Sequence, residues 1–178
     1  MLAVAVPLRA RQRGLDQFML PAPPCKDDLT PAVSSDAEYR SGAPVRRSLL
    51  DPGMPGVKMT LAGYVTGLTC GRIKGARVDF WQADSQGRFD PRGFRLRGAV
   101  LTDGDGRYAI ETVIPGEAAG RAKRISARLQ PPGKASLSTV LFFPDDPAAS
   151  KDKQFKPGLV MKRAAGPSAY TFDFLLDA

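Results

Sequence analysis

The sequence contains no histidine. That absence removes imidazole general bases, histidine-containing catalytic triads and every histidine-ligated metal centre. Cysteine is nearly as scarce. Cys25 and Cys70 are the only two, too few for a four-thiolate zinc site, and they form either one disulfide or two buried thiols. No apolar run approaches the roughly 20 residues that a membrane-spanning helix requires, so no membrane partner is expected. Internal repeats and long stretches of helical periodicity are missing as well.

What remains is turn-rich. Glycine (18) and proline (16) are spread among short apolar runs in 178 residues, a pattern that favours one β domain over a helix bundle. The formal charge of +8 suits either an anionic partner or simply a basic surface. Lysine and arginine are scattered, with neither an aromatic-studded RNA motif nor zinc-finger spacing, so no nucleic-acid partner is expected.

Residues 1–24 read as a peripheral arm. The apolar start MLAVAVPL precedes Arg9, Arg11 and Arg13, the reverse of the charge order in a secretory signal. Both a cytoplasmic and an extracytoplasmic location therefore stay open. Residues 25–178 form the domain, and its first thirty residues are loop-like and expected to wrap the surface. Strands are predicted at Lys58–Thr66, Arg77–Ala83, Ala99–Leu101, Arg107–Thr112, Arg124–Gln130, Val140–Phe143 and Ala169–Leu176. In the first, Met59, Leu61 and Val65 face inward, while Lys58, Thr60 and Tyr64 face outward. In the fifth, Ile125, Ala127 and Leu129 oppose Arg124, Ser126 and Arg128. Tyr170, Phe172, Phe174 and Leu176 are the inward set of the last. Val140–Phe143 is all apolar, which suits a central strand. The fold class is all-β, a β-sandwich.

The most informative stretch is Val78–Ile110, VDFWQADSQGRFDPRGFRLRGAVLTDGDGRYAI. With Gly63-Tyr64-Val65, TVIPG at 112–116, LSTVLFFPDD at 137–146 and YTFDFLL at 170–176, it resembles the intradiol ring-cleavage dioxygenases, the catechol and protocatechuate dioxygenase family. The resemblance runs from Leu29 to the C-terminus and is most specific over Ala76–Gly116. Thr30-Pro31 is similar to the family's entry motif, and Asp36-Ala37-Glu38-Tyr39 loosely echoes the Glu-Gly-Pro-Tyr that follows it.

That resemblance implies a β-sandwich whose members hold a ferric ion (Fe3+) through two tyrosines and two histidines. At the matching positions this chain has Phe89 in Gly87-Arg88-Phe89-Asp90, Glu117 after Pro115-Gly116, and Arg124 and Ser126 in the strand after Arg121. The expectation is a protein that does not bind the family's ferric cofactor and has no metal ligands of its own. Two readings of the altered site follow. Arg121, Arg124 and Arg128 with Glu117 make a pocket for a small anionic or aromatic molecule, or Arg124, Ser126 and Arg128 are the solvated face of a strand and Glu117 a surface charge. Three functions remain open: a ligand-binding homologue, a metal-free enzyme with Arg124 and Glu117 as catalytic candidates, and a non-catalytic subunit in a homo- or hetero-oligomer of similar chains. Trp81 lines the site or belongs to the core. Cys25 and Cys70 resemble positions that carry cysteine in extracytoplasmic branches of the family, which implies a disulfide worth about 2–4 kcal/mol.

Overall fold

The computed structural model describes residues 28–34 and 38–178. The arm expected over 1–24 lies outside the described residues, and so does Cys25. Cys70 is disulfide-bonded.

Among the described residues, short alternating segments become nine strands: β1 (Lys58–Gly67), β2 (Arg77–Trp81), β3 (Arg97–Leu101), β4 (Arg107–Val113), β5 (Arg124–Gln130), β6 (Leu137–Phe142), β7 (Lys162–Arg163), β8 (Ala169–Thr171) and β9 (Phe174–Leu176). One sheet runs β4-β1-β8-β7, with β9 also on β1. The other runs β3-β2-β5-β6. Within the second sheet every pairing is antiparallel, whereas β8 and β9 join β1 in parallel. This is the two-sheet sandwich that the strand pattern predicts.

Period-two alternation builds the core. Val78, Phe80, Ile125, Ala127, Leu129 and Leu141 from one sheet meet Leu61, Val65, Tyr108, Ile110 and Phe174 from the other. Tyr108 ties the layers together. Its ring lies 5.5 Å from that of Phe80 and 5.4 Å from that of Phe174, and its hydroxyl donates to the Phe172 carbonyl at 2.7 Å.

Three strand expectations need correction. Of the run Val140–Phe143, the first three residues lie in β6 and Phe143 just follows it, and β6 is an edge strand rather than a central one. The run is apolar throughout because a later segment covers it: Val160 bridges to Phe142, and the Phe155 ring packs on Phe142 at 5.4 Å. Ala169–Leu176 is not one strand but β8 and β9, interrupted at Phe172-Asp173. There the Asp173 carboxylate accepts the Tyr64 N–H at 3.0 Å. The chains come so close that a Cβ on Gly63 would sit 1.8 Å from the Phe172 carbonyl oxygen. Tyr64, expected to face outward, is 4% exposed, because the Arg72 guanidinium lies 4.1 Å from its ring.

The loop-like segment does wrap the sandwich, and it binds as it goes. Ala99 exchanges backbone hydrogen bonds with Pro44 and Arg46, and Glu111 does so with Arg47 and Leu49, all at 2.8–2.9 Å. Residues 44–49 thus cap β3 and then β4, closing an edge of each sheet.

Candidate functional site

The site is assembled where two turns nest. After β2, Asp84 accepts the backbone N–H groups of Gln86 (2.9 Å) and Arg88 (3.0 Å). Burial opposes its charge, but those bonds and the Arg88 guanidinium outweigh burial and lower its pKa. Gly87 has φ +79°, and a Cβ there would stand 1.9 Å from the Glu117 carbonyl oxygen. A Cβ on Gly116 would stand 2.6 Å from the Gly87 nitrogen. Two glycines therefore let the 84–88 turn press against 116–118, and Phe89 and Arg121 meet as a result. The Arg121 guanidinium lies 6.0 Å from the Phe89 ring centroid.

The outer face of β5 carries Arg124, Ser126 and Arg128. It is not a solvated strand face, since Arg124 is 6% and Ser126 2% exposed. Arg124 Nη1 faces an Asp152 carboxylate oxygen at 3.7 Å and donates to the Gln154 side-chain oxygen. Asp152 also accepts the Ala122 N–H at 3.0 Å, and Asp146 accepts the Lys123 N–H at 2.8 Å. Two carboxylates thus clamp the loop after β6 onto the start of β5. Across the sheet Ser126 is in register with Trp81, and Trp81 with Arg97.

Glu38 and Tyr39 cover this face. Arg121 Nη2 donates to Glu38 Oε1 at 2.8 Å, and Arg97 donates to the Glu38 carbonyl from Nε (3.3 Å) and Nη2 (3.0 Å). Burial lowers the pKa of Arg97. The Tyr39 ring meets the Trp81 ring edge-on at 5.0 Å, and the Arg128 guanidinium lies 5.1 Å from it. Trp81 is therefore buried on the site face beneath Tyr39 rather than in the inter-sheet core.

Glu117 goes elsewhere. Its side chain is exposed, while the following residue, Ala118, is buried. Among the described residues it makes no ion pair with Arg121 or Arg124, whose carboxylate partners there are Glu38 and Asp152. The reason is local: pressing 116–118 against Gly87 turns the Glu117 carbonyl inward and leaves its side chain on the surface. Sequence reasoning named Glu38 only within the loose echo of the entry motif, and Asp152 and Gln154 not at all. Which acid of the loop after β6 reaches Arg124 depends on how that loop folds back.

Chemically, Phe89 offers no donor atom, Arg124 only N–H donors, and Ser126 a neutral hydroxyl. Beside them lies a cleft of ≈520 Å³ lined by Ala119, Gly120, Arg121, Lys151, Asp152, Lys153 and Gln154. Asp152 is paired with Arg124 and Arg121 with Glu38, and Lys151 and Lys153 add two exposed positive charges to the cleft wall.

Comparison with known proteins fits this geometry. Residues 30–128 match the family model described as Dioxygenase. Catechol 1,2-dioxygenase 1 of Acinetobacter lwoffii is 35% identical over 97 residues, covering 48% of this chain and 31% of that protein. Hydroxyquinol 1,2-dioxygenase of Rhizobium sp. is 30% identical over 124 residues, covering 56% and 42%. This chain thus spans less than half the length of either relative. The dioxygenase domain of a dioxygenase carbohydrate-binding protein fusion from Streptomyces sp. SirexAA-E superposes with a TM-score of 0.80 at 41% identity, covering 84% of this chain and 99% of that one. Hydroxyquinol 1,2-dioxygenase from Pseudomonas putida DLL-E4 shares the fold, with a TM-score of 0.74 at 22% identity. By its matched sequence and its two-sheet architecture, the chain belongs to the intradiol dioxygenase family.

Proposed function

We propose that this chain is an intradiol dioxygenase homologue without the ferric site, and that it binds a small anionic aromatic molecule. One observation carries the first part. Arg124, at a position where the family resemblance puts an iron ligand, is a buried guanidinium held by Asp152 at 3.7 Å with side chains 5% and 3% exposed. A guanidinium has no lone pair to give a metal and repels a trivalent cation. Ferric iron at such a site requires anionic oxygen and imidazole ligands. Phe89, Arg124 and Ser126 supply neither, Glu117 offers a single carboxylate on an exposed side chain, and the sequence has no histidine to substitute. The residues present do not fit the group, and no step of a reaction is routed through it.

The binding reading rests on the cleft beside this pair. Arg121, Lys151 and Lys153 line it, and clustered cations raise the local concentration of anions. Relatives named as catechol and hydroxyquinol dioxygenases make a small aromatic ring the natural ligand class. Catalysis by Arg124 and Glu117 finds no support, since the first is engaged by Asp152 and the second faces solvent.

Metal analysis of purified protein, with oxygen uptake measured on catechol and protocatechuate, tests the first part. Sub-stoichiometric iron and no uptake are expected. Stoichiometric iron with a visible phenolate charge-transfer band overturns it. Quenching of Trp81, the single tryptophan, during titration with 4-hydroxybenzoate tests the second part. A flat titration to millimolar concentration counts against it.

A further inference from the structure

Glu38 is ion-paired with Arg121, the cation shared between the cleft and the covered face of β5. It holds that position imperfectly. One oxygen, Oε1, takes Arg121 Nη2 at 2.8 Å, while the other, Oε2, is buried without a hydrogen-bond partner. On the same face Arg97 Nη1 and Trp81 Nε1 are also buried without partners, in residues that are each 2% exposed. Guanidinium–carboxylate pairs are strongest when both oxygens are used, and a buried polar atom left unmatched is unfavourable. The next residue, Tyr39, packs edge-on against Trp81, with ring centroids 5.0 Å apart. Together a carboxylate and a phenol ring, tethered to the chain, occupy the approach to Arg121.

We propose that Glu38 is an internal competitor for the anion position on Arg121, displaced when a small aryl carboxylate enters the adjoining cleft. The proposal rests on the ligand-binding reading above and specifies its chemistry. The incoming carboxylate takes the Nη2 direction that Glu38 Oε1 holds, while Arg121 Nε keeps its contact with the Ala118 carbonyl. Its ring lies toward Phe89, already 6.0 Å from that guanidinium. The exposed Lys151 and Lys153 on the cleft wall draw the anion in. Glu38 then moves to water, where its unmatched oxygen is hydrated. Glu38 thereby sets the affinity threshold, and an uncharged aromatic of the same size does not displace it.

The test is a fluorescence titration of Trp81 with 4-hydroxybenzoate, and with 4-hydroxybenzyl alcohol as the uncharged control. It compares the wild-type chain with Glu38→Gln, Glu38→Asp and the double variant Glu38→Gln/Arg121→Gln. Glu38→Gln is expected to bind 4-hydroxybenzoate at least about tenfold more tightly than wild type, an effect of about 1.4 kcal/mol. The gain should vanish in the double variant and be absent for the alcohol. Glu38→Asp keeps the charge but shortens the reach, and should give a smaller gain. It replaces Glu38→Gln as the reading if that variant does not fold. Equal binding by wild type and variants, within about twofold, overturns the competition while leaving the ligand-binding reading intact. No response from any of the proteins overturns both. A gain that survives Arg121→Gln overturns the assignment to Arg121.

Discussion

Arg124 and Asp152 face each other at 3.7 Å, with side chains 5% and 3% exposed. Their pairing decides how the start of β5 is held. Asp152 also accepts the Ala122 N–H, so its removal takes the carboxylate from a buried cation and frees a backbone donor together. Asp152→Ala is expected to destabilise the fold by about 3–5 kcal/mol. Replacing both partners, Arg124→Met with Asp152→Leu, should cost at least about 1 kcal/mol less than the single change, because no charge is then left buried. Urea denaturation of the three proteins checks this, and a double variant as unstable as the single one would sink it.

Gly87 and Gly120 both have positive φ, +79° and +71°, but only Gly87 is closely approached, by the Glu117 carbonyl oxygen. Alanine at Gly120 should cost only the left-handed strain, roughly 1–2 kcal/mol. Alanine at Gly87 should cost about 2 kcal/mol or more beyond that, since backbone must move. It should also perturb the environment of Arg121, because the nested turns separate. Thermal unfolding ranks the pair, and equal losses would contradict the packing argument.

Asp90 organises the loop ahead of β3. Its carboxylate accepts the N–H groups of Gly93, Arg92 and Arg95, and these bonds hold its pKa at about 2, below the ordinary 3.8. A carboxyl depressed on folding stabilises the native state above its unfolded pKa and loses that contribution as pH falls through the folded one. Wild type should therefore lose stability relative to Asp90→Asn between 3.8 and about 2. Carboxyl NMR titration should place the Asp90 midpoint near the lower value. Parallel acid limbs for the two proteins would refute this.

Tyr108 is buried between the sheets, and burial pushes its phenol well above the ordinary range, with the Asp173 charge adding to the effect. In spectrophotometric titration it should ionise only as the protein unfolds in alkali. Tyr108→Phe removes the bond to the Phe172 carbonyl and should cost about 1–2 kcal/mol in denaturant. A loss below a few tenths would mean that the bond contributes nothing.

Much of the scaffold was legible in one dimension. Alternation in Arg124–Gln130 assigns Ile125, Ala127 and Leu129 to the core, where all three are fully buried. A side-chain period of two leaves no other choice for a strand with one apolar face. The break at Phe172-Asp173 was not legible. It depends on Asp173 reaching Tyr64, 109 positions away, and local alternation carries no trace of such a partner.

The opposite face of β5 shows the same division. The sequence by itself determined that histidine is absent and that Phe89, Glu117, Arg124 and Ser126 stand where the family resemblance puts metal ligands, because residue identity is a one-dimensional fact. Only the tertiary structure decided that Arg124 is buried against Asp152, that Glu38 is paired with Arg121 and that Glu117 turns away. The first two are long-range pairings of charges, fixed by where loops cross the sheet, and the third follows from the close approach of 116–118 to Gly87. A cation in a sequence looks the same whether it ends in water or opposite a carboxylate, and desolvation, which separates the two cases, exists only once the chain has folded.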